Sequence, residues 1–200
     1  MASDTEIVNG ALTLLGSGSI TSLADSELKQ AVEARKIFTI ARDAVLSSQN
    51  WSFAMSRVNL SAMVAVPPFG FAQQFQLPAD CLRIVMVGDI YVGVDLSDFR
   101  GRPVEQFAIE GRKILTSLGA PLPLRYVRRE EDTSLWHSCF VQMFAGELAE
   151  QLCEPLSQSD SKRERAIAFK RDWLAKAVMA NAIELPATHL PDDEWLASRI

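Results

Sequence analysis

No disulfide framework can be written for this sequence. Its cysteines are three, Cys81, Cys139 and Cys153, an odd number with no C-x-x-C spacing. That fits reduced thiols in a cytoplasmic setting, and the simplest reading of all three is as buried small apolar side chains. Glycine and proline are scarce, at 10 and 9 of 200 residues, which excludes a collagen-like repeat and a long Pro/Gly-rich disordered tract. No apolar run reaches the roughly 18 residues that a membrane-spanning helix needs. The opening MASDTEIVNG lacks the basic region and apolar stretch of a secretion signal. Neither secretion nor membrane insertion is expected. Histidines are two, His137 and His189; His189 has no neighbouring Cys or His for a metal site. Positive charge is also in deficit, with 20 Lys and Arg against 25 Asp and Glu and a net charge of -5. A protein that neutralises phosphate over its whole surface is thereby disfavoured, and only a local basic patch is left open.

What is there suffices for a real core: 48% of the residues are hydrophobic and 22% charged, in a chain long enough for one domain or one domain carrying an insertion. Ser3 to Glu6 has the S-x-x-E form of a capping box and opens a helix to about Leu15, broken by Gly16-Ser17-Gly18. Asp25 or Ser26 can cap a second helix, whose Leu28, Ala31, Val32, Phe38, Ala41 and Val45 recur at three- and four-residue steps. That helix runs into Trp51 and Phe53 with no glycine or proline at the join. Strand-like segments follow at Phe53–Leu60, Leu82–Val87, Val104–Ile109, Lys113–Ser117 and Leu122–Val127, with turn residues between them. Helices return at Asp132 with a broad apolar face through Trp136, Phe140, Phe144 and Leu148. A second capping pattern, Ser161 to Glu164, opens another helix that fades near Ile183. The reading is an α+β, mainly α chain: an antiparallel helix bundle over 1–50 and 131–182, a small antiparallel β-sheet inserted at 51–130, and an extended C-terminal arm over 183–200.

Chemical candidates are few. His137 and Cys139 are two apart and point to different sides of a helix, so they do not form a thiol–imidazole pair. Gly16-Ser17-Gly18 lacks the third glycine of a dinucleotide loop and no strand precedes it. Glu130 with Glu131, and Glu147 with Glu150, read as carboxylates on exposed edges rather than as an acid–base pair. No catalytic residue, metal ligand or cofactor site is assigned. The basic groups Arg100 with Arg102, Arg125 with Arg128 and Arg129, and Lys162 with Arg163 and Arg165 are either solvated or a surface for DNA or an acidic partner. In the tail, Trp195 follows two prolines and the acidic run Asp192, Asp193, Glu194. An aromatic there is either an anchor for a partner's pocket or packed back on its own chain.

The order of these elements, with the helix AVEARKIFTIARDAVLSSQNWSFA and the stretch FQLPADCLRIVMV from Phe75 to Val87, resembles the tail tubular protein A family, the head-to-tail adaptors of short-tailed bacteriophages. The stretch from Phe75 resembles that family's F-x-L-P-x-D-C-L-R signature, and the similarity in the order and spacing of elements spans roughly residues 5 to 180. The resemblance implies a structural, non-enzymatic role at the head–tail junction of a virion assembled in the host cytoplasm. Such adaptors form a dodecameric ring beneath the portal protein, extend the channel through which double-stranded DNA passes, and offer a platform to the tail nozzle protein; no membrane is involved. It further implies that the arm, through Leu190, Asp192, Asp193, Glu194, Trp195 and Ile200, reaches the portal. Trp51 and Phe53 would be the structural hinge where the chain leaves the bundle for the sheet. The competing expectation is a helical protein-binding module or assembly chaperone unrelated to a virion.

Overall fold

The structure, a computed structural model, describes residues 2–92 and 106–185. The chain is mixed α+β, and it divides into two compact units, one of Ala34–Leu135 and one of Ala2–Glu33 with the chain from Trp136 onward. The divisions fall within the long second helix and just before the third.

In the second unit, helix α1 (Asp4–Leu14) starts as its sequence predicts. Ser3 Oγ accepts the Glu6 amide at 3.3 Å and the Glu6 carboxylate accepts the Ser3 amide at 2.7 Å. It ends at Gly16 with φ +61°, where Ser17 N–H reaches the Leu12 carbonyl and Gly16 N–H that of Thr13. This is a glycine-terminated helix end that only a residue free of a Cβ adopts without strain. Ile7, Val8, Ala11 and Leu12 are buried. Helix α3 (Ser138–Leu156) packs against both α1 and α4 (Asp160–Glu184). Trp136 sets its ring edge-on to Phe140 and Phe144, with centroids 5.0 and 5.4 Å away, a favoured aromatic geometry. The close approach of α3 and α4 depends on Gly146, because a Cβ there would lie 3.0 Å from the Lys170 Cα.

Several expected boundaries move, two of them because carboxylates take nearby backbone amides in turns ahead of the helix. The Asp25 carboxylate accepts the amides of Glu27 and Leu28, making a turn that precedes helix α2 (Lys29–Ser48) instead of capping its first residue. Asp132 does not open a helix: Glu130 accepts its amide, Asp132 accepts that of Ser134, and a 3₁₀ turn (Thr133–Leu135) intervenes before α3. No capping box forms at Ser161; the N-cap of α4 is Ser159, two residues earlier, and its hydroxyl makes no cap bond. At the other end α4 continues to Glu184, into the region read as arm. The rest of that arm, with Leu190, Asp192, Asp193, Glu194, Trp195 and Ile200, lies outside the described residues, as do Arg100 and Arg102.

Among its described residues the first unit holds the C-terminal part of α2 and seven short strands in two antiparallel sheets, where one sheet is expected from the sequence. One sheet has the order β1 (Met55–Leu60), β7 (Leu122–Arg128), β3 (Cys81–Val87), β4 (Ile90–Tyr91); the other has β2 (Gln73–Gln76), β6 (Lys113–Thr116), β5 (Phe107–Glu110). β7 pairs with β1 in unbroken register, Met55 with Val127 through Leu60 with Leu122. Its pairing with β3 slips twice, between Cys81 and Arg83 and between Ile84 and Met86, as at β-bulges that sharpen a strand's twist. The two sheets share one apolar core, including Leu60, Phe75, Leu77, Ile84, Ile114 and Tyr126.

Candidate interaction surfaces

The aromatic pair at the end of α2 is part of the helix end itself. Trp51 is fully buried, and its indole donates to the Val45 carbonyl at 3.1 Å. Ser48 Oγ donates to the same carbonyl and Ser47 Oγ to that of Ala44, each at 2.8 Å. The last four carbonyls of a helix lack the usual intrahelical partner; here the first of them, that of Val45, takes a hydroxyl and an indole in place of a C-terminal glycine. The half-buried Phe53 ring stacks on Trp51 at 6.2 Å. Both residues lie within the first unit and fix how α2 passes into β1.

Most of the basic candidates are committed within the chain. Lys162 Nζ donates to the Leu15 carbonyl at 2.7 Å and Arg165 Nη2 to the Leu14 carbonyl at 2.6 Å. Helix α1 has no basic residue in its own last turn, and these two cations from α4 take that place at the negative end of its dipole. Arg163, between them, is exposed. In the other unit, Arg129 Nε meets Asp43 at 2.7 Å, Asp43 meets the buried Arg42 at 3.1 Å, and Arg42 meets Glu131 at 3.2 Å. Arg128 pairs with Glu130, and Arg125 is half-buried on β7. The two basic groups belong to different units, and their principal chemistry is capping and ion pairing.

The carboxylates are likewise engaged. Glu130 is buried and ion-paired, so it is not the exposed edge residue expected of it. Glu147 and Glu150 both hold Lys170; burial draws that ammonium down, but the two carboxylates outweigh it and hold it above its ordinary value. His137 stands at the N-cap of α3 with Nε2 3.0 Å from Glu184. Cys139 is half-buried, whereas Cys81 and Cys153 are buried as expected. Burial pushes the Cys81 thiol up to about 11. Among the described residues no group of three His, Cys, Asp or Glu side chains is placed to hold a metal ion, and no helix is long and apolar enough to cross a membrane.

What sequence reading missed is how much apolar side chain stays at the surface. α4 buries only Ala166 and Ala177, while Ile167, Val178, Met179 and Ile183 are exposed. Ile40 on α2 is 72% exposed. The loop between β1 and β2 carries Val64, Val66 and Phe69 at 102, 64 and 84% exposure. Its signal was in the sequence, since no charged residue occurs between Arg57 and Asp80. A cavity of about 530 Å³ lies beside this loop, walled by Val66, Pro67 and Pro68 and by Glu110 to Lys113. A second, of about 280 Å³, is lined by Leu77, Leu82, Ile84, Val92 and Ile109 with Arg83 and Arg112.

No protein-family model matches the chain, and no curated protein matches it.

Proposed function

We propose that this chain is a structural head-to-tail adaptor of a short-tailed bacteriophage, in which copies close into a ring beneath the portal, extend the DNA channel and offer a platform to the tail nozzle. In this reading the helices form a bundle, the two sheets are its insertion, the C-terminal arm reaches the portal, and the chain catalyses no reaction. The observation that carries it is the apolar surface left on both units, at Ile40, Val64 and Phe69 in one and at Met179 and Ile183 in the other. Large side chains of this kind gain when a neighbour covers them; Val64, Val66 and Phe69 fall within one loop, and Met179 and Ile183 are one helical turn apart on α4.

The residues that carry the resemblance also support it, since they build the sheet unit. Phe75 and Leu77 enter its core, the Asp80 carboxylate accepts from Tyr126 Oη at 3.2 Å, its carbonyl accepts the Arg129 amide at 2.7 Å, and Arg83 donates to Asn50 at 2.6 Å. In this chain those residues hold the sheet unit together.

Electron microscopy of the purified chain, alone and mixed with the portal protein of the same phage, tests the reading. Closed rings stacked on the portal are expected. A chain that stays a single particle in both preparations would overturn it.

A further inference from the structure

We infer that Asn9–Gly10 is a site of spontaneous deamidation, which the fold keeps closed by clasping the Asn9 carboxamide to the backbone of Ile20. The inference goes beyond the ring-forming reading and rests on α1 and the turn after it alone.

Two of the poorer helix formers stand together in the middle of α1. Hydrogen bonding accounts for Asn9. Its Nδ2 donates to the Ile20 carbonyl at 2.9 Å and its Oδ1 accepts the Ile20 amide at 2.8 Å, a two-bond clasp that needs a donor and an acceptor on one group, as a carboxamide has and a carboxylate has not. It ties the buried Ile20 back to the helix after the turn at Gly16. Nothing comparable accounts for Gly10. It is exposed on helical backbone, and a Cβ there would meet the Ala145 Cβ at 3.5 Å, an ordinary contact. Neither space nor backbone conformation calls for glycine.

What glycine changes is the chemistry open to Asn9, a thermolabile residue type. An asparagine carboxamide is attacked by the amide nitrogen of the next residue, and a side chain on that residue hinders the approach; glycine has none. The Gly10 nitrogen gives its proton to water and bonds to Asn9 Cγ, the Cγ–Nδ2 bond breaks, and Nδ2 leaves as ammonia. Water then opens the resulting cyclic imide at either carbonyl. Asparagine and water thus become ammonia and either aspartate or isoaspartate.

The folded chain blocks the first step twice. In α1 the Gly10 amide points along the helix axis toward the carbonyl four residues back, and ring closure requires Asn9 to leave the helical backbone conformation. The clasp meanwhile holds the carboxamide on Ile20. Both must open together, so the reaction samples local opening of α1. Afterwards the clasp cannot re-form, because a carboxylate has no proton to give the Ile20 carbonyl. Isoaspartate also adds a methylene to the backbone in the middle of the helix that buries Ile7, Val8, Ala11 and Leu12. Modification is therefore one-way.

Trypsin cuts after Lys29, and up to that residue Asn9 is the one Asn or Gln in the chain, so the mass change from amide to acid in this peptide reports the site alone. The full chain is held at pH 8, folded in buffer or unfolded in urea, and sampled over days. Conversion to aspartate and isoaspartate is expected in urea, and at least tenfold slower conversion in the folded chain. Gly10→Ala, checked for fold by circular dichroism, should slow the reaction in urea at least tenfold. Asn9→Asp, which carries one product's side chain, should melt below the parent. An Asn9 that survives urea unmodified, or a Gly10→Ala chain that reacts as fast as the parent, overturns the site. Equal rates for the folded and unfolded parent, a comparison that needs no variant to fold, overturn the guard. Asn9→Asp melting at or above the parent overturns the one-way loss of the clasp.

Discussion

The indole of Trp51 donates its one hydrogen bond to the carbonyl of Val45, six residues back and in the last turn of α2. The ring is fully buried, so this bond and the surrounding packing together lock the passage from helix to strand. Trp51→Ala should cost about 3–5 kcal/mol, the usual result of emptying a buried aromatic site. Trp51→Phe should cost less, because it keeps most of the packing and loses only the bond to Val45. Urea denaturation of the three proteins checks the order. A Trp51→Ala protein as stable as the parent would remove the aromatic lock from the account.

Lys162 and Arg165 serve helix α1, and their loss should appear as lost stability rather than lost DNA binding. Lys162 is half-buried on the Leu15 carbonyl, so Lys162→Met should cost about 1–2 kcal/mol, because partial exposure reduces the roughly 1.5–3 kcal/mol of a hydrogen bond to a charged group. Arg165 is exposed on the Leu14 carbonyl, and Arg165→Met should cost less. Thermal melts give the stability, and filter retention of double-stranded DNA against salt gives the alternative. Unchanged melting with weakened DNA retention would return these residues to a DNA-contacting role.

Those two side chains also show where sequence reading reaches its limit. The capping box at Ser3 and Glu6 was legible because both partners lie within one turn. The partner of Lys162 lies 147 residues away, and no local pattern reports it, so a capping cation reads as surface charge. Likewise the strands rich in aliphatic residues, β3 and β7, stand out, whereas β2 reads QQFQ and is a strand only because β6 pairs with it. The separation into two sheets depends on the non-local pairs β1–β7, β3–β7 and β2–β6, whereas β3–β4 and β5–β6 are local hairpins. The apolar loop was visible as composition, but its exposure is set by which residues the two sheets leave uncovered.

At Gly146 helix α3 lies close against the backbone of α4. Replacing this glycine with alanine gains up to about 1 kcal/mol of helix propensity. The added Cβ, however, would lie 3.0 Å from the Lys170 Cα and 3.1 Å from its nitrogen. Backbone cannot swing aside as a side-chain end can, so the helices must separate, and overpacking of this kind costs about 1–3 kcal/mol. The steric effect should win. Gly146→Ala is expected to melt below the parent and Gly146→Leu far below it, by calorimetry. A Gly146→Ala protein that melts higher would show that the helices yield freely.

Cys81 sits at the start of β3, buried, with its thiol pushed up to about 11 from an ordinary 9.0. Burial is the main cause; Asp80 adds to the rise, and Arg112 opposes it. Only the thiolate is a good nucleophile. At pH 8, iodoacetamide should therefore modify the half-buried Cys139 first and leave Cys81 nearly untouched in the folded chain, while all three cysteines react in urea. Stability carries the same sign. The unfolded thiol ionises near 9 and the folded one not until about 11, so the contribution is full below pH 9 and declines as pH rises through that interval. Cys81→Val should remove this part of the alkaline decline, read from urea melts at pH 8 and pH 10.5. Labelling of folded Cys81 at pH 8 as fast as in urea would show that the β3 strand opens and that the thiol is not held in the core.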